Sequence, residues 1–273
     1  MFFLLTMFFI ERIFSAYRLQ VLLRLKNPGI SLWTLLRITF TSNFLGQFMP
    51  GAVGVEAIRV AGMAKSTSDL ALSFSSMVVD RVLGMMALVL LVLLALAVAP
   101  QTIDPLIGNL AWIGLGGLFL GSVAVLNTRV RSAFDKLLWS KLLTPVKEGL
   151  HKLYGCLDIF KRKPRTIAWA AVLALSFQFI RVGIAPVGAM ALRLDTPLVY
   201  FFIFVPIITF VQMLPISIGG LGVREASFMY FFSSRGMTSE EAFTLSILIY
   251  LFTLISTLPG AWFCVMGISR KES

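Results

Sequence analysis

The chain has very few of the residues on which metal sites, disulfide frameworks and most catalytic centres depend. One histidine, His151, and two cysteines, Cys156 and Cys264, occur among its 273 residues. The cysteines lie far apart on different segments and match neither a disulfide framework nor a metal-ligand spacing. The sequence also carries no P-loop, no Gly-x-Ser-x-Gly motif and no metal-ligand cluster. We therefore predict no metal, no cofactor and no enzymatic activity.

Charged residues are also scarce, at 14% of the chain against 58% hydrophobic residues. A water-soluble core cannot bury that much apolar surface, which excludes an ordinary soluble domain. The composition therefore predicts a polytopic membrane protein. The length allows one integral membrane domain over residues 1–273 and leaves no room for a separate soluble enzyme.

Acidic residues are rarer than basic ones. The chain has 13 acids and 24 basic residues, a net charge of +11, and ten of the basic residues lie in residues 129–165 beside three acids. No nucleic-acid recognition motif accompanies this basic segment, so nucleic acid is not an expected partner. Because the segment lies between two apolar stretches, it indicates the cytoplasmic side of the inner (plasma) membrane and contact with anionic headgroups.

Long apolar runs, by contrast, are abundant. The four clearest can each cross a hydrocarbon core of about 30 Å at about 1.5 Å per residue. They are Leu70–Ala99, Leu110–Leu126, Ile167–Leu192 and Ala242–Ile268. Phe2–Leu23 lacks a basic amino-terminal region and a small-residue cleavage site, so we expect a first membrane helix and not a secretory signal. Charged residues interrupt it at Glu11, Arg12 and Arg18.

Two further apolar stretches end in a near-repeat. Residues 44–59 are FLGQFMPGAVGVEAIR and residues 210–226 are FVQMLPISIGGLGVREA, so each combines a proline, several glycines, an arginine and a glutamate. Proline and glycine end or turn a helix, and a broken helix at membrane depth must line protein or a wet cavity, since unpaired backbone groups are costly there. The backbone positions expected at the breaks are Pro50, Gly54, Pro215, Gly219, Gly220 and Gly222.

The positive-inside rule sets the predicted topology of these segments. With residues 129–165 in the cytoplasm, the first near-repeat enters the membrane from the inside and the second enters from the outside. Each forms a hairpin of two short helices around a break at Pro50–Gly54 or Pro215–Gly222. The helices of the hairpins are expected at Leu32–Met49, Glu56–Ala64, Leu198–Leu214 and Val223–Phe232.

The predicted fold is therefore all-α, a polytopic membrane helical bundle built from two inverted repeats that carry broken, re-entrant hairpins. The repeats span about residues 31–99 and 196–268, and a basic cytoplasmic loop spans residues 128–165. Hairpins that enter from opposite faces meet near the midplane, so this arrangement predicts a binding site between the two repeats.

The arginines of the near-repeat are the main candidates for binding. Arg59 and Arg224 follow the two breaks, where a restarting helix presents an N-terminus that favours an anion, and both side chains can hold the same phosphate. Glu56 and Glu225 can pair with these arginines or accept a cationic headgroup. Alternatively, each glutamate only neutralises its arginine and holds its hairpin together.

Further polar residues lie within predicted helices. Asp80 and Arg81 are adjacent and point about 100° apart, so one can face a cavity and the other a partner segment; a simple interfacial anchor is the alternative. Arg181 lies deeper, and its expected partner is Asp80 or Glu225. Asn43 can cap or hydrogen-bond the first hairpin, or it can simply pack.

These motifs resemble the lysylphosphatidylglycerol synthase transmembrane family over nearly the whole chain. This is the flippase-like membrane domain found at the N-terminus of the bacterial multiple peptide resistance factor and also as stand-alone proteins. The resemblance rests on Asn43-x6-Pro50-x3-Gly54-x-Glu56-x2-Arg59, on Val79-Asp80-Arg81-Val82-x-Gly84, and on Pro215-x-Ser217-Ile218-Gly219-Gly220-Leu221-Gly222-Val223-Arg224-Glu225-Ala226.

The resemblance implies that the chain moves lipids, or lipid-linked groups, between leaflets. It carries Glu56, Arg59, Asp80, Arg81, Arg224 and Glu225 over as site residues. Two departures from fuller family members follow. The soluble aminoacyl-transfer domain is absent, so we do not expect synthesis of lysyl-lipid, and the abrupt start predicts that a first helix is missing.

The function that we expect is a flippase-like protein that binds and translocates an anionic or amino-acylated phospholipid, or a lipid-linked headgroup. An accessory scaffold is the main alternative, docking a separate glycosyltransferase or lipid synthase through the basic loop. A membrane-embedded transferase with a polyprenyl-phosphate donor is the third possibility, and it needs Asp80 as a base.

Overall fold

The computed structural model describes residues 1–49, 51–98, 116–117, 154–155, 158, 160, 162–213, 217, 219–233 and 235–269. Over these residues the chain is all-helical, with eight helices and no strand. The helices are α1 (Phe2–Leu23), α2 (Leu32–Gly46), α3 (Gly51–Thr67), α4 (Leu70–Val98), α5 (Pro164–Ala191), α6 (Leu198–Met213), α7 (Val223–Phe232) and α8 (Ser239–Ser269).

Three of these helices are long and apolar enough to cross a membrane. They contain Leu70–Val98, Pro164–Ala191 and Ser239–Met266, which confirms three of the four clearest predicted spans. The fourth, Leu110–Leu126, lies outside the described residues apart from positions 116 and 117. Helix α1 has 22 residues, but it contains Glu11, Arg12 and Arg18, which sets it apart from the three apolar helices.

Four shorter helices form two hairpins around the near-repeats. Helices α2, α3, α6 and α7 have 15, 17, 16 and 10 residues. At about 1.5 Å per residue none of them matches a hydrocarbon core of about 30 Å. The predicted bounds of the second hairpin agree closely with α6 and α7.

The first break is shorter than predicted and lies earlier in the chain, because α2 ends at Gly46 and not at Met49. Helix α3 begins at Gly51 and not at Glu56, so Gly54 lies inside the helix and not in the break. A Cβ atom at Gly54 would overlap with the side chain of Met49. Gly54 therefore allows helix α3 to pack closely against Met49 in the break. Its backbone is not left-handed, so the lack of a side chain is what matters.

The two halves pack in a reciprocal way. Helix α2 of the first hairpin lies along α8, and helix α6 of the second hairpin lies along α4. Each hairpin also contacts the long helix that follows it, α3 on α4 and α7 on α8. Gly260 allows the α2–α8 approach, because a Cβ there would overlap with the backbone carbonyl of Phe40. The first helix of each hairpin thus packs on the long helix of the other half of the chain. This arrangement brings the ends of the two hairpins together at the centre of the bundle.

Candidate functional site: an arginine-lined cavity

A cavity of about 280 Å³ lies where the hairpins meet, and all eight described helices contribute to its wall. Apolar side chains such as Leu88, Val205 and Ile208 form part of the wall. The charged residues that line it are six arginines and two acids: Arg12, Arg18, Arg59, Arg81, Arg181, Arg224, Glu11 and Asp80. Arg59 and Arg224, which the near-repeat predicts to share one pocket, both belong to this wall.

Helix α1 contributes a row of polar side chains to the cavity wall. In the sequence these residues were interpreted only as charges that interrupt an apolar run. Phe8, Glu11, Ser15 and Arg18 all line the cavity, and Glu11 and Arg18 are buried, with 4% of their surface exposed. Their spacing of three or four residues places them on one face of the helix. That spacing was a signal in the sequence, since charges aligned on one face of a membrane helix point to a polar interior.

Asp80 on α4 is held by Arg18. The Nη2 group of Arg18 donates a hydrogen bond of 2.8 Å to one carboxylate oxygen of Asp80, and Nε donates to the other. Both side chains are buried. The Nη1 group of Arg18 is buried without a hydrogen-bond partner. Gly84 lies next to this pair, and a Cβ there would make an ordinary contact of 3.9 Å with Nη2 of Arg18.

Arg81 turns away from Asp80 and forms an ion pair with Glu56 of α3. The sequence analysis expected one of the two adjacent residues to face a cavity and the other a partner segment; in the structure both Asp80 and Arg81 line the cavity, and each also pairs with a different helix. The partner of Glu56 is Arg81 rather than Arg59, because the 100° step along α4 directs Arg81 toward the first hairpin. About a quarter to a third of each side chain stays exposed, at 27% and 29%.

Arg224 and Glu225 pair with each other, as one of the two alternatives predicted. The Nη2 group of Arg224 lies 2.5 Å from Glu225 Oε1, and the guanidinium carbon lies 4.4 Å from the ring centre of Tyr250. Nε of Arg224 also donates to the hydroxyl of Ser246 at 3.2 Å. These contacts hold α7 against α8.

Glu225 also caps α7, which changes the expected role of that helix end. The N–H of Gly222, in a left-handed conformation with φ of 81°, donates to Glu225 Oε2 at 2.6 Å. This N–H of α7 is therefore satisfied by the protein's own carboxylate. The affinity of the two restarted helix ends for a phosphate stays a prediction.

Three cavity arginines have no carboxylate partner among the described residues. Arg59 is 6% exposed, and the polar contact of its side chain is a 3.3 Å hydrogen bond from Nε to Ser42.

The guanidinium carbon of Arg181 lies 6.0 Å from the ring centre of Phe177. The expected pairing of Arg181 with Asp80 or Glu225 is absent, because Arg18 and Arg224 already occupy those carboxylates. The side chain of Arg12 makes no hydrogen bond within the described part of the chain, and its Nε is buried.

The two breaks contact each other directly beside the cavity. The N–H of Gly219 donates to the carbonyl oxygen of Met49 at 3.4 Å. Gly219 has φ of 61°, and a Cβ there would lie 2.8 Å from the carbonyl oxygen of Gln47. Gly219 therefore combines a left-handed conformation with close contact between the hairpins.

Asn43 lines the cavity, and its side-chain amide donates a hydrogen bond of 2.7 Å to the carbonyl oxygen of Thr39 in its own helix. It therefore hydrogen-bonds within the first hairpin, which is one of the roles predicted for it.

Some predicted features lie outside the described residues. Pro50 and Pro215 are among them, as is most of the basic loop over residues 128–165. Within the described ranges, no group of three or more histidine, cysteine or acidic side chains could hold a metal ion.

Membrane-length helices around a cavity lined by six arginines are typical of a helical integral membrane protein with a polar interior. The model of the lysylphosphatidylglycerol synthase TM region family matches residues 1–260, and the chain belongs to this family. Searches among curated proteins and among solved structures gave no match. Membership associates the chain with the handling of membrane lipids.

Proposed function

We propose that this chain binds the phosphate of an anionic lipid headgroup in the arginine-lined cavity and moves the lipid between the two leaflets. The observation that carries the proposal is the presence of six arginines around one cavity, three of them without a carboxylate partner in the described structure. Charged groups are expensive to keep inside a membrane protein and therefore point to a functional pathway.

The size of the cavity supports binding of a headgroup alone. A volume of about 280 Å³ is at the lower end of the range for pockets that enclose small molecules. Acyl chains then stay in the bilayer while the phosphate enters between the helices. Guanidinium groups suit this task, because each offers several N–H donors in a planar fork that matches phosphate oxygens.

The reciprocal packing of the hairpins supports a mechanism for movement. Two inverted repeats with re-entrant hairpins can rock against each other around a fixed central site, which exposes it to one leaflet and then to the other. No nucleotide hydrolysis is part of this mechanism. The contact between Gly219 and Met49 lies at the centre of such a movement.

The proposal places the protein in the inner (plasma) membrane and gives it no group-transfer chemistry. Both carboxylate oxygens of Asp80 accept hydrogen bonds from Arg18, which leaves this acid poorly suited to act as the base of a transferase.

A liposome assay tests the proposal. Purified protein is reconstituted with phosphatidylglycerol that carries a fluorescent label, and the rate at which label from the inner leaflet becomes accessible to a quencher is measured. We expect a rate at least about tenfold lower for Arg59→Ala/Arg224→Ala, because each lost charged hydrogen bond costs about 1.5–3 kcal/mol.

The matched control removes two arginines that do not line the cavity. Arg37 and Arg235 stack on Phe263 and Tyr200, with guanidinium-to-ring distances of 5.7 and 5.9 Å. The Arg37→Ala/Arg235→Ala variant should keep the wild-type rate. Equal rates for the wild type and the cavity variant would contradict the proposal.

A further inference from the structure

The cavity holds more positive charge than its ion pairs neutralise. Arg18, Arg81 and Arg224 are paired with Asp80, Glu56 and Glu225. The remaining charges are three arginines, Arg12, Arg59 and Arg181, and one acid, Glu11. Six arginines against four carboxylates leave a formal net charge of plus two among the described residues at and beside the cavity.

Arg12 is the common neighbour of the other two unpaired arginines. Its positive charge repels both Arg59 of the first hairpin and Arg181 of α5. Glu11 is the main opposite charge for Arg181, yet no arginine or lysine within the described ranges lies within 4 Å of it. The described ion pairs therefore leave the positive charge of these three arginines without a direct carboxylate contact.

An excess of two positive charges selects among lipid headgroups by simple Coulomb attraction. A phosphodiester with no other ionised group carries one negative charge and leaves the cavity positive. A phosphate monoester carries about 1.5–2 negative charges at pH 7, because its second pKa is near 6. An amino-acylated phosphodiester adds one or more ammonium groups, which the unpaired arginines repel.

We propose that the cavity selects a terminal phosphate, a monoester or diphosphate with two or more negative charges, over single-charged phosphodiesters and amino-acylated lipids. This inference rests on the proposed function and names the substrate class of the same site. Lipids with such headgroups include phosphatidic acid and polyprenyl phosphates. Inorganic phosphate and pyrophosphate share the chemistry without the lipid.

Binding measurements on the purified chain in nanodiscs test this inference at pH 8, where the monoester is fully ionised. Three lipids with identical acyl chains are compared: phosphatidic acid, phosphatidylglycerol and lysyl-phosphatidylglycerol. We expect phosphatidic acid to bind about tenfold or more tightly than phosphatidylglycerol, since one additional charge near a net charge of plus two is worth more than about 1.4 kcal/mol at an effective dielectric constant of about 20. Lysyl-phosphatidylglycerol should bind most weakly.

Two variants at neighbouring positions of α1 shift the cavity charge in opposite directions. Arg12→Gln lowers the net charge by one and should reduce the preference for phosphatidic acid over phosphatidylglycerol several-fold. Glu11→Gln raises it by one and should increase that preference. Arg181→Gln repeats the first change on another helix, so the test does not depend on one variant folding.

The outcomes separate this inference from the proposed function. If the wild type binds all three lipids equally, or binds the amino-acylated lipid best, the inference is overturned while the lipid site stands. If no lipid binds but inorganic pyrophosphate does, the charge selectivity is supported and the lipid function fails. Displacement of phosphatidic acid by excess pyrophosphate supports a site that recognises the phosphate itself.

Discussion

At the residue scale, the cavity is built from acids and arginines that come from different helices. Arg18 of α1 reaches Asp80 of α4, and Arg81 of α4 reaches Glu56 of α3. The two adjacent residues of α4 thus tie it to α1 on one side and to α3 on the other. Buried pairs of this kind add little net stability compared with apolar residues, yet they are costly to break by removing one partner.

The Arg18–Asp80 pair leads to a prediction about stability. Asp80→Asn should destabilise the protein by about 3–5 kcal/mol, because it leaves a buried guanidinium without its carboxylate. The double variant Arg18→Gln/Asp80→Asn should recover more than half of that loss. The free energy of unfolding in detergent, measured by chemical denaturation, checks both values.

Glu56→Gln is the matched control, since it also replaces an acid by its amide. The Arg81–Glu56 pair is more than a quarter exposed on both sides, so its loss should cost clearly less. Equal losses for Asp80→Asn and Glu56→Gln would show that burial does not decide the strength of these pairs.

At the scale of elements, glycines set how closely the helices approach. Gly260 on α8 lies against the backbone of Phe40 on α2, whereas Gly183 on α5 would place a Cβ 3.4 Å from the flexible end of Met7. The first position has backbone as its neighbour and the second has a mobile side chain. Substitution therefore has opposite consequences at the two sites.

We predict that Gly260→Ala lowers the midpoint of thermal unfolding and that Gly183→Ala leaves it unchanged or raises it. Overpacking against rigid backbone costs about 1–3 kcal/mol. Alanine in place of glycine inside a helix gains about 0.5–1 kcal/mol where space permits. Thermal unfolding followed by circular dichroism in the same detergent compares the two variants. An unchanged midpoint for Gly260→Ala would contradict the α2–α8 contact described above, and a loss at Gly183 as large as that at Gly260 would contradict the space beside Gly183.

For the molecule as a whole, the proposed function predicts that the cavity lowers stability in order to bind an anion. Like charges without partners in a membrane interior repel each other, and a bound anion relieves that repulsion. The lipid-free protein should therefore have a lower free energy of unfolding than the same bundle of apolar helices without the unpaired charges.

Arg181→Gln tests this trade. We expect the delipidated variant to unfold at a higher temperature than the wild type, a gain of about 1 kcal/mol, while its lipid transport rate falls. The control is Arg37→Gln, because the Arg37 side chain stacks on Phe263 and does not line the cavity. This variant should change neither the unfolding temperature nor the transport rate appreciably. A destabilised Arg181→Gln protein would mean that this arginine serves packing and not binding.

Much of the fold could be predicted because helices in membranes depend on local sequence. Apolar length defines α4, α5 and α8, and glycine and proline patterns locate the hairpins. The bounds of α7 were predicted to the residue, since Gly222 and the following Val223 mark a cap and a start. The bound of α3 was wrong, because a glycine inside a helix looks the same in sequence as a glycine in a break.

Residue order alone predicts a helical membrane protein with two similar, broken hairpins and buried arginines, because hydropathy and helix breaking act over a few neighbouring residues. The packing of distant helices sets which charges pair and which arginines have no carboxylate partner among the described residues. Arg18 and Asp80 lie 62 positions apart, and no local pattern links them. The partners, and hence the excess positive charge of the cavity, follow from how α1, α4 and the first hairpin pack around the same space.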